Sequence, residues 1–248
     1  MIRDYPTSSQ PAWRLIAQEA AAFAAAGLLM PFGIRSPRRR TPRARDQRTV
    51  VLVHGYLANR STLFPLAAYL RLRGLKQILQ FNYDSRAGVE RGALGLRAFL
   101  RQHVRGGRID LVGHSLGGLV ARVYVQELGG SRRVDRCVTL GTPHRGTYNS
   151  YWLWSRVGGE LRPDSQLLAR LGASRSAMQG VRFLSLIAGS DNLVIPRVFA
   201  SHEQEIVIQD VGHLSMLFSP TVLRLVGDYL AKPDPTPGER SRLAQQPA

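Results

Sequence analysis

The sequence contains a single cysteine, Cys137, which limits the chemistry open to the chain. No disulfide can form within it, and no cluster of cysteines can hold a metal ion. Export to an oxidising compartment is therefore not implied. Cys137 lies in the strand-like run VDRCVTLG, where a small buried thiol is expected rather than a reactive one.

Lysine is also scarce, because Lys76 and Lys232 are the only two in the chain, and arginine supplies most of the formal charge of +17. A compositional bias of the source genome would explain this preference. A basic excess also suits an anionic membrane surface or a nucleic acid. The densest basic run, 35–48 (RSPRRRTPRARDQR), has no aromatic residues that could stack on bases, so no nucleic-acid partner is expected.

The N-terminal segment 1–34 is mostly apolar from Trp13 onward, but Gln18 and Glu19 interrupt it. The uninterrupted run is shorter than the roughly 18 to 20 residues that a spanning helix needs. A secretory signal is not expected, since the heavy positive charge follows the apolar run instead of preceding it. Two interpretations stay open: a helix packed on the domain, or an attachment to a membrane surface. Arginines after Ile34 favour a cytoplasmic body, attached to the inner face of the membrane in the second case.

The rest of the chain predicts one α/β domain at 49–232, since 248 residues suit a single large core. Short β-branched runs alternate with helical stretches, which is typical of a mostly parallel sheet with helices on both faces. Strands are predicted at 49–54, 77–83, 109–113, 136–141, 182–189 and 204–209. Helices are predicted at 63–73, 91–104, 116–128 and 216–231.

Three further segments stand outside this alternation. The arginine-rich stretch 35–48 is interpreted as a linker, and the tail 233–248 as disordered. Residues 148–180 form an insertion with a helical stretch at 165–171. Because ligands of open α/β sheets bind at the carboxyl ends of the strands, where this insertion starts, it is placed to be a lid. The alternative is a helical excursion on the surface.

The strongest functional signal is the G-x-S-x-G pattern formed by Gly113, His114, Ser115, Leu116 and Gly117. It lies between a predicted strand, IDLVG, and a predicted helix. A nucleophilic serine needs such a sharp turn from strand to helix, and the two glycines remove side chains that would collide there. We therefore predict that Ser115 is the nucleophile.

A serine at its ordinary pKa needs a base, and that base needs an orienting acid. In this kind of fold the order along the chain is serine, acid, histidine. Asp191 directly follows a buried strand in LSLIAGSDNLVIP, and His213 follows the last strand in EIVIQDVGHLSML, so we predict these two as acid and base. The candidates considered and not chosen are Asp135, Asp164, Asp210, His144 and His202, with Asp210 as the reserve acid.

The negative oxygen of a tetrahedral intermediate needs two preorganised donors. We predict the backbone N–H of Leu116, at a helix N-terminus, and that of Tyr56, in the run VLVHGYLAN. Gly55 would let this loop turn the Tyr56 N–H inward. His54 and His114 are expected to support these loops by hydrogen bonding. No metal and no cofactor are expected.

With these pieces in order, the sequence resembles the bacterial triacylglycerol lipase and esterase branch of the α/β-hydrolase superfamily. The matching segments are VLVHGY, GHSLGG, LGTPHRGT, GSDNLVIP and VGHLSML, spread over residues 49 to about 230. The resemblance implies an acyl or lipid ester as substrate and an insertion that contributes to the acyl pocket. Secreted members of this branch carry a calcium site near the histidine loop and export signals, neither of which matches here.

Three functions remain open on this evidence. The first is a carboxylester hydrolase of the esterase or lipase kind. The second is an acyltransferase or thioesterase that uses the same three side chains. The third is a hydrolase fold retained as a non-catalytic lipid-binding module.

Overall fold

The computed structural model describes residues 3–5, 10–34, 48–195 and 204–232. Within these residues, seven strands form one sheet in the order β1-β7-β6-β5-β4-β2-β3, and each neighbouring pair is parallel. The strands are β1 (Arg3–Tyr5), β2 (Thr49–Val53), β3 (Ile78–Phe81), β4 (Ile109–His114), β5 (Val134–Leu140), β6 (Arg182–Ala188) and β7 (Gln204–Ile208). The helices are α1 (Ala12–Gly33), α2 (Phe64–Leu72), α3 (Val89–His103), α4 (Leu116–Glu127), α5 (Arg156–Leu161), α6 (Gln166–Ala173) and α7 (Pro220–Ala231).

Helices cover both faces of the sheet, as predicted. Helices α3 and α4 pack on one face with the helices of the insertion, and α2 and α7 pack on the other. The central strands β2, β4 and β5 are buried along their whole length, because each of their faces meets helices. This double burial explains why they read as continuous apolar runs rather than alternating ones.

The observed elements differ from the predicted ones mainly at their ends. Strand β5 begins at Val134, two residues before the predicted start, and helix α7 begins at Pro220 instead of residue 216. A short 3-10 turn, Ser215–Leu217, precedes α7, and Pro220 then stands at the first turn, where its missing N–H costs no hydrogen bond. Strand β1 was not predicted at all. It adds to the edge of the sheet beside β7, with Arg3 opposite Ile206.

Helix α1 crosses the carboxyl edge of the sheet, where the strands end. Just before it begins, the N–H of Gln10 donates to Asp210 beyond β7 (3.4 Å), and near its end the carbonyl of Met30 accepts from Asn59 beyond β2 (2.9 Å). A helix of this length spans about 33 Å, enough to pass over the strands in between.

The predicted linker 35–48 lies outside the described residues except for its last residue, Arg48, and the predicted tail lies outside them from residue 233 onward.

The insertion at 148–180 packs against the body of the domain. Leu167, Leu168 and Leu171 of α6 are buried in the same apolar cluster as α4. Glu160 of α5 accepts a hydrogen bond from the N–H of Val89, at the start of α3 (2.7 Å). The predicted helical stretch at 165–171 corresponds to α6.

Candidate active site

Ser115 lies in a strained turn between β4 and α4. Its φ of 53° and ψ of −122° are rarely adopted by a residue with a side chain, and such strain persists only where the surroundings enforce it. Gly113 and Gly117 make the turn possible. A Cβ on Gly113 would lie 2.6 Å from the carbonyl carbon of Gly117, and a Cβ on Gly117 would lie 2.3 Å from the carbonyl oxygen of Val53. Both glycines are therefore required by close backbone contact.

The predicted acid and base are in direct contact. Nδ1 of His213 donates to Oδ2 of Asp191 at 2.7 Å, and both side chains are buried. The other oxygen of Asp191 accepts from the backbone N–H groups of Leu193 (2.8 Å) and Val194 (2.9 Å). Burial opposes ionisation of Asp191, but the hydrogen bond and charge of His213, with these two N–H donors, lower its pKa below the ordinary value. The acid is thus held as a carboxylate.

His114 connects the serine turn to the loop that carries His213. Its ring lies 4.9 Å from the ring of His213, and its Nε2 donates to the backbone carbonyl of His213 at 3.0 Å. Burial lowers the pKa of His114 to about 3, so the ring stays neutral and keeps this donor. Ser115 follows His114 directly in the chain, and among the described residues its hydroxyl forms no hydrogen bond with His213.

The backbone N–H groups of Tyr56 and Leu116, the two predicted oxyanion donors, are available to a ligand. Among the described residues, neither the N–H of Tyr56 nor that of Leu116 forms a hydrogen bond. The Tyr56 loop lies against the nucleophile, since a Cβ on Gly55 would be 3.1 Å from Cβ of Ser115. The next residue, Leu57, has a φ of 51°, and its N–H donates to Oγ of Ser85 (2.9 Å), which fixes the turn.

His54 is buried beneath the same loop. Its Nδ1 donates to the carbonyl of Gly55 (3.0 Å), and its Nε2 accepts from the N–H of Tyr83 (3.3 Å). The ring also stacks on the ring of Tyr83, with 4.5 Å between centroids. Burial lowers the pKa of His54, which suits a neutral ring with one donor and one acceptor. These contacts support a holding role for His54.

The other candidates for acid and base make contacts elsewhere, apart from His202, which lies outside the described residues. Asp135 pairs with Arg48 and Arg108 at the opposite edge of the sheet. Asp164 accepts from the hydroxyl of Tyr151 (3.3 Å), and the reserve acid Asp210 accepts from the N–H of Gln10. The ring of His144 hydrogen bonds with Thr139 (2.9 Å) and Arg122 (3.2 Å).

Arg122 is a structural residue that the sequence did not reveal. It lies on α4, about two turns beyond the nucleophile, and is only 4% exposed. Its guanidinium donates to the carbonyl of His144 (3.3 Å) and to that of Leu171 in the insertion (3.2 Å). Nothing in its sequence context, LVARVYVQ, distinguishes it from an exposed arginine of an amphipathic helix.

The chain is similar to several known proteins. Residues 87–182, less than half of the chain, match the family model for palmitoyl protein thioesterase. Among solved structures, Aspergillus fumigatus lipase B superposes with a TM-score of 0.68 at 15% identity, over 88% of this chain and 61% of that one. The product of the Listeria innocua gene lin2722 gives 0.60 at 16% identity, over 77% of this chain and 96% of that one. A membrane phospholipase A described as a bacterial virulence factor gives 0.53 at 12% identity, over 88% and 92%. These likenesses confirm the α/β-hydrolase fold.

Proposed function

We propose that the protein is a serine hydrolase that cleaves acyl esters of lipids through an acyl-enzyme intermediate. The observations that carry this proposal are the strained turn at Ser115 and the hydrogen-bonded pair of Asp191 and His213, whose loop accepts a hydrogen bond from His114 in that turn. Strain of this kind destabilises the fold, and it is typical of sites where it serves chemistry. The likeness of the fold to lipases and to a membrane phospholipase A supports the same class of reaction.

In the proposed mechanism, Oγ of Ser115 attacks the ester carbonyl while Nε2 of His213 takes its proton. Asp191 keeps the proton on Nδ1 of His213, which leaves Nε2 as the base. The N–H groups of Tyr56 and Leu116 stabilise the negative oxygen of the tetrahedral intermediate. His213 then returns the proton to the leaving alcohol, and water releases the acid from Ser115. The hydrogen bond between Ser115 and His213 forms as substrate enters, since catalytic contacts often tighten only in the complex.

A lipid substrate is favoured by the distribution of exposed apolar side chains. Among the described residues, all the exposed large apolar side chains except Leu72 and Leu94 belong to α1 or to loops at the carboxyl edge. They are Trp13, Ile16, Phe23, Leu28, Met30, Phe32, Ile34, Leu57, Tyr148, Tyr151, Trp152, Trp154, Leu193 and Ile195. A patch of this kind next to a catalytic site suits contact with an apolar partner. We propose that the carboxyl edge faces a membrane.

Helix α1 exposes most of its large apolar side chains. Its large apolar residues, such as Trp13, Phe23 and Phe32, point away from the protein, whereas a helix of a water-exposed domain turns such residues inward. It is long and apolar enough to cross a membrane, but contacts near both ends tie it to the domain. We therefore propose that it lies on the membrane. The charge of +17 favours an anionic surface, and the arginines at 35–48 favour the inner face.

A thioester is the second candidate substrate, and one specific observation favours it. The match to the palmitoyl protein thioesterase model covers the serine turn and the whole insertion at 148–180. The proposed mechanism accepts a thioester without change, because the leaving group is then a thiol that receives the proton from His213.

The first experiment compares the wild-type protein with Ser115→Ala on p-nitrophenyl esters from acetate to palmitate and on palmitoyl-CoA. We expect turnover to fall by at least ~10⁴-fold in the variant, while its circular dichroism spectrum stays unchanged. The matched control is Ser176→Ala, an exposed serine in the turn after α6, which should keep full activity. Turnover retained by Ser115→Ala would exclude the proposed nucleophile, and the ratio of ester to thioester turnover would decide between the two substrates.

A further inference from the structure

Helix α1 touches the domain along a narrow stripe of its surface. The stripe consists of Leu15, Glu19, Ala22, Ala26, Leu29 and Gly33, which recur every three or four residues. Open grooves of about 740 Å³ and 680 Å³ flank the helix on either side. Only one member of the stripe, Glu19, is charged. The placement of α1 therefore depends on small side chains and on the hydrogen bonds that Glu19 makes.

Glu19 reaches the loop that carries His213. Its carboxylate accepts from the backbone N–H of Leu214 (2.8 Å) and from that of Ser215 (3.1 Å). It also lies directly over Gly212, where a Cβ would come within 2.3 Å of Oε1 of Glu19. The carboxylate thus contacts the residue before His213 and the two residues after it. Charge-assisted bonds to two N–H groups are among the stronger hydrogen bonds in proteins.

The far end of α1 is tied to the loop that follows Tyr56. Nδ2 of Asn59 donates to the carbonyl of Met30 (2.9 Å), and Nε of Arg60 donates to that of Gly33 (3.2 Å). One helix therefore joins the loop of the proposed base to the loop of a proposed oxyanion donor.

We infer that Glu19 is a positioning residue, through which α1 holds the His213 loop in its catalytic geometry. This inference rests on the function proposed above for Ser115 and His213. Asp191 fixes the ring of His213 and His114 fixes its backbone carbonyl, but neither restrains the chain after it. Glu19 restrains the next two residues. Misplacement of a catalytic group by about 1 Å can cost about 10²-fold in rate, so a restraint at this point matters to turnover.

The first test measures kcat and KM of Glu19→Ala and Glu19→Gln on a soluble p-nitrophenyl ester. Rates are counted per active site, by titration with a fluorophosphonate that labels Ser115. For Glu19→Ala we expect kcat to fall 10- to 100-fold with KM within about twofold. Glu19→Gln keeps one oxygen acceptor and should lose less. The control is Gln18→Ala, whose side chain reaches only Gln10 on the exposed side of the helix, and it should retain wild-type kcat.

A double-mutant cycle separates positioning from a general loss of stability. In Gly212→Ala the new Cβ displaces the carboxylate of Glu19, so this variant should lose activity in the wild-type background. In the Glu19→Ala background the same change should cost much less, because the group it displaces is gone. Equal losses in both backgrounds would show that Gly212 acts on His213 without Glu19.

A spectroscopic readout keeps the inference testable even if no ester is turned over. The proton shared by His213 and Asp191 should give a downfield proton resonance that is absent in His213→Asn. Glu19→Ala should broaden or shift this resonance, and Gln18→Ala should leave it unchanged. The inference is overturned if Glu19→Ala keeps both the resonance and the kcat per labelled site within twofold of wild type. If the wild-type protein showed neither turnover nor labelling of Ser115, the proposed function would be contradicted. The resonance of the proton shared by His213 and Asp191 would then be the test of whether Glu19 positions the loop.

Discussion

The two edges of the sheet each bury an aspartate against a basic partner, and the two sites differ in what surrounds the carboxylate. At the carboxyl edge, Asp191 contacts His213 and two backbone N–H groups. At the amino edge, Asp110 on β4 accepts from Arg48 (2.6 Å) and from Arg136 on β5 (3.3 Å). Arg136 also donates to the carbonyl of Lys232, which joins β5 to the end of α7.

The surroundings move the two carboxyl pKa values in opposite directions. Burial raises the pKa of Asp110 to about 7, although the charge of Arg48 opposes this. Burial acts on Asp191 too, but its hydrogen bonds outweigh that effect and lower its pKa. The hydrogen bonds and charge around Asp191 thus outweigh its burial, whereas the charge and hydrogen bond of Arg48 do not outweigh the burial of Asp110. The amino edge holds strands and α7 together, whereas the carboxyl edge holds a carboxylate beside a proton-accepting ring.

Between the two edges, the largest expected effect is that of Asp191→Asn. Without the carboxylate, His213 loses the partner that keeps its proton on Nδ1, so kcat should fall by about 10³- to 10⁴-fold. The matched control is Asp210→Asn, which changes the reserve acid and should leave kcat within twofold. Steady-state kinetics on one ester measures both variants. If kcat fell more in Asp210→Asn than in Asp191→Asn, Asp210 rather than Asp191 would be the orienting acid.

The two edges should also respond oppositely to acid. The pKa of His114 is about 3 in the folded chain, below its ordinary 6.5, so the unfolded chain binds a proton first as the pH falls. This lowers the free energy of unfolding by roughly 3 kcal/mol between pH 6.5 and 4. The pKa of Asp110 is about 7, above its ordinary 3.8, so there the folded chain binds the proton first, and acid raises the free energy of unfolding by a similar amount.

These opposite contributions should nearly cancel in the wild-type protein. On acidification from pH 7 to 4, His114→Gln should gain stability relative to wild type, and Asp110→Asn should lose it. Urea unfolding at several pH values measures both. Identical pH slopes for the two variants would show that the edges do not differ in this way.

A smaller effect concerns the backbone strain at Ser115. At the amino edge, none of Arg48, Asp110 and Arg136 has a positive φ. Glycine adopts positive φ without cost, so Ser115→Gly should be more stable than Ser115→Ala by about 1 to 2 kcal/mol, with both inactive. Urea unfolding at one pH tests this. Equal stability of the two variants would mean that the turn relaxes when the hydroxyl is removed.

The smallest effect on stability is expected for Trp154→Ser, since Trp154 is 97% exposed in the insertion. The free energy of unfolding should change by less than about 0.5 kcal/mol, while sedimentation with anionic phosphatidylglycerol vesicles should decrease. Leu72→Ser is the control, because Leu72 is 87% exposed and lies at the C-terminal end of α2, towards the amino edge. Equal loss of sedimentation in both variants would contradict a docking surface at the carboxyl edge.

Much of the fold follows from local patterns in the sequence. Strands such as VVLV and DLV are buried on both faces and read as apolar runs, and Gly113 and Gly117 mark the turn because only glycine fits its backbone contacts. Strand β1 could not be predicted, since three residues carry no periodicity and pair only because β7 leaves an edge open. The order of the strands in the sheet could likewise not be predicted from the sequence.

The placement of polar residues was harder to predict than their presence. Glu19 appears in the sequence only as an interruption of an apolar run, and its function as an acceptor depends on a loop almost two hundred residues away. The composition of α1 also conceals that Ala22, Ala26 and Gly33 face inward whereas its aromatic residues face outward. Asp110 and Arg136 look like ordinary strand residues, and their pairing depends on the register of β4 with β5.

The buried guanidinium of Arg122 has a consequence for how turnover should begin. The guanidinium donates to the carbonyl of His144 and to that of Leu171 in the insertion. If the insertion moved away as a unit, the buried charge of Arg122 would lose these acceptors, which is energetically costly. We therefore expect the helical part of the insertion to stay fixed against the domain and to act as a wall of the proposed substrate site. Progress curves of hydrolysis should accordingly be linear from the time of mixing, with no lag while the insertion opens. Selectivity among acyl chains should follow from the shape of a preformed cleft.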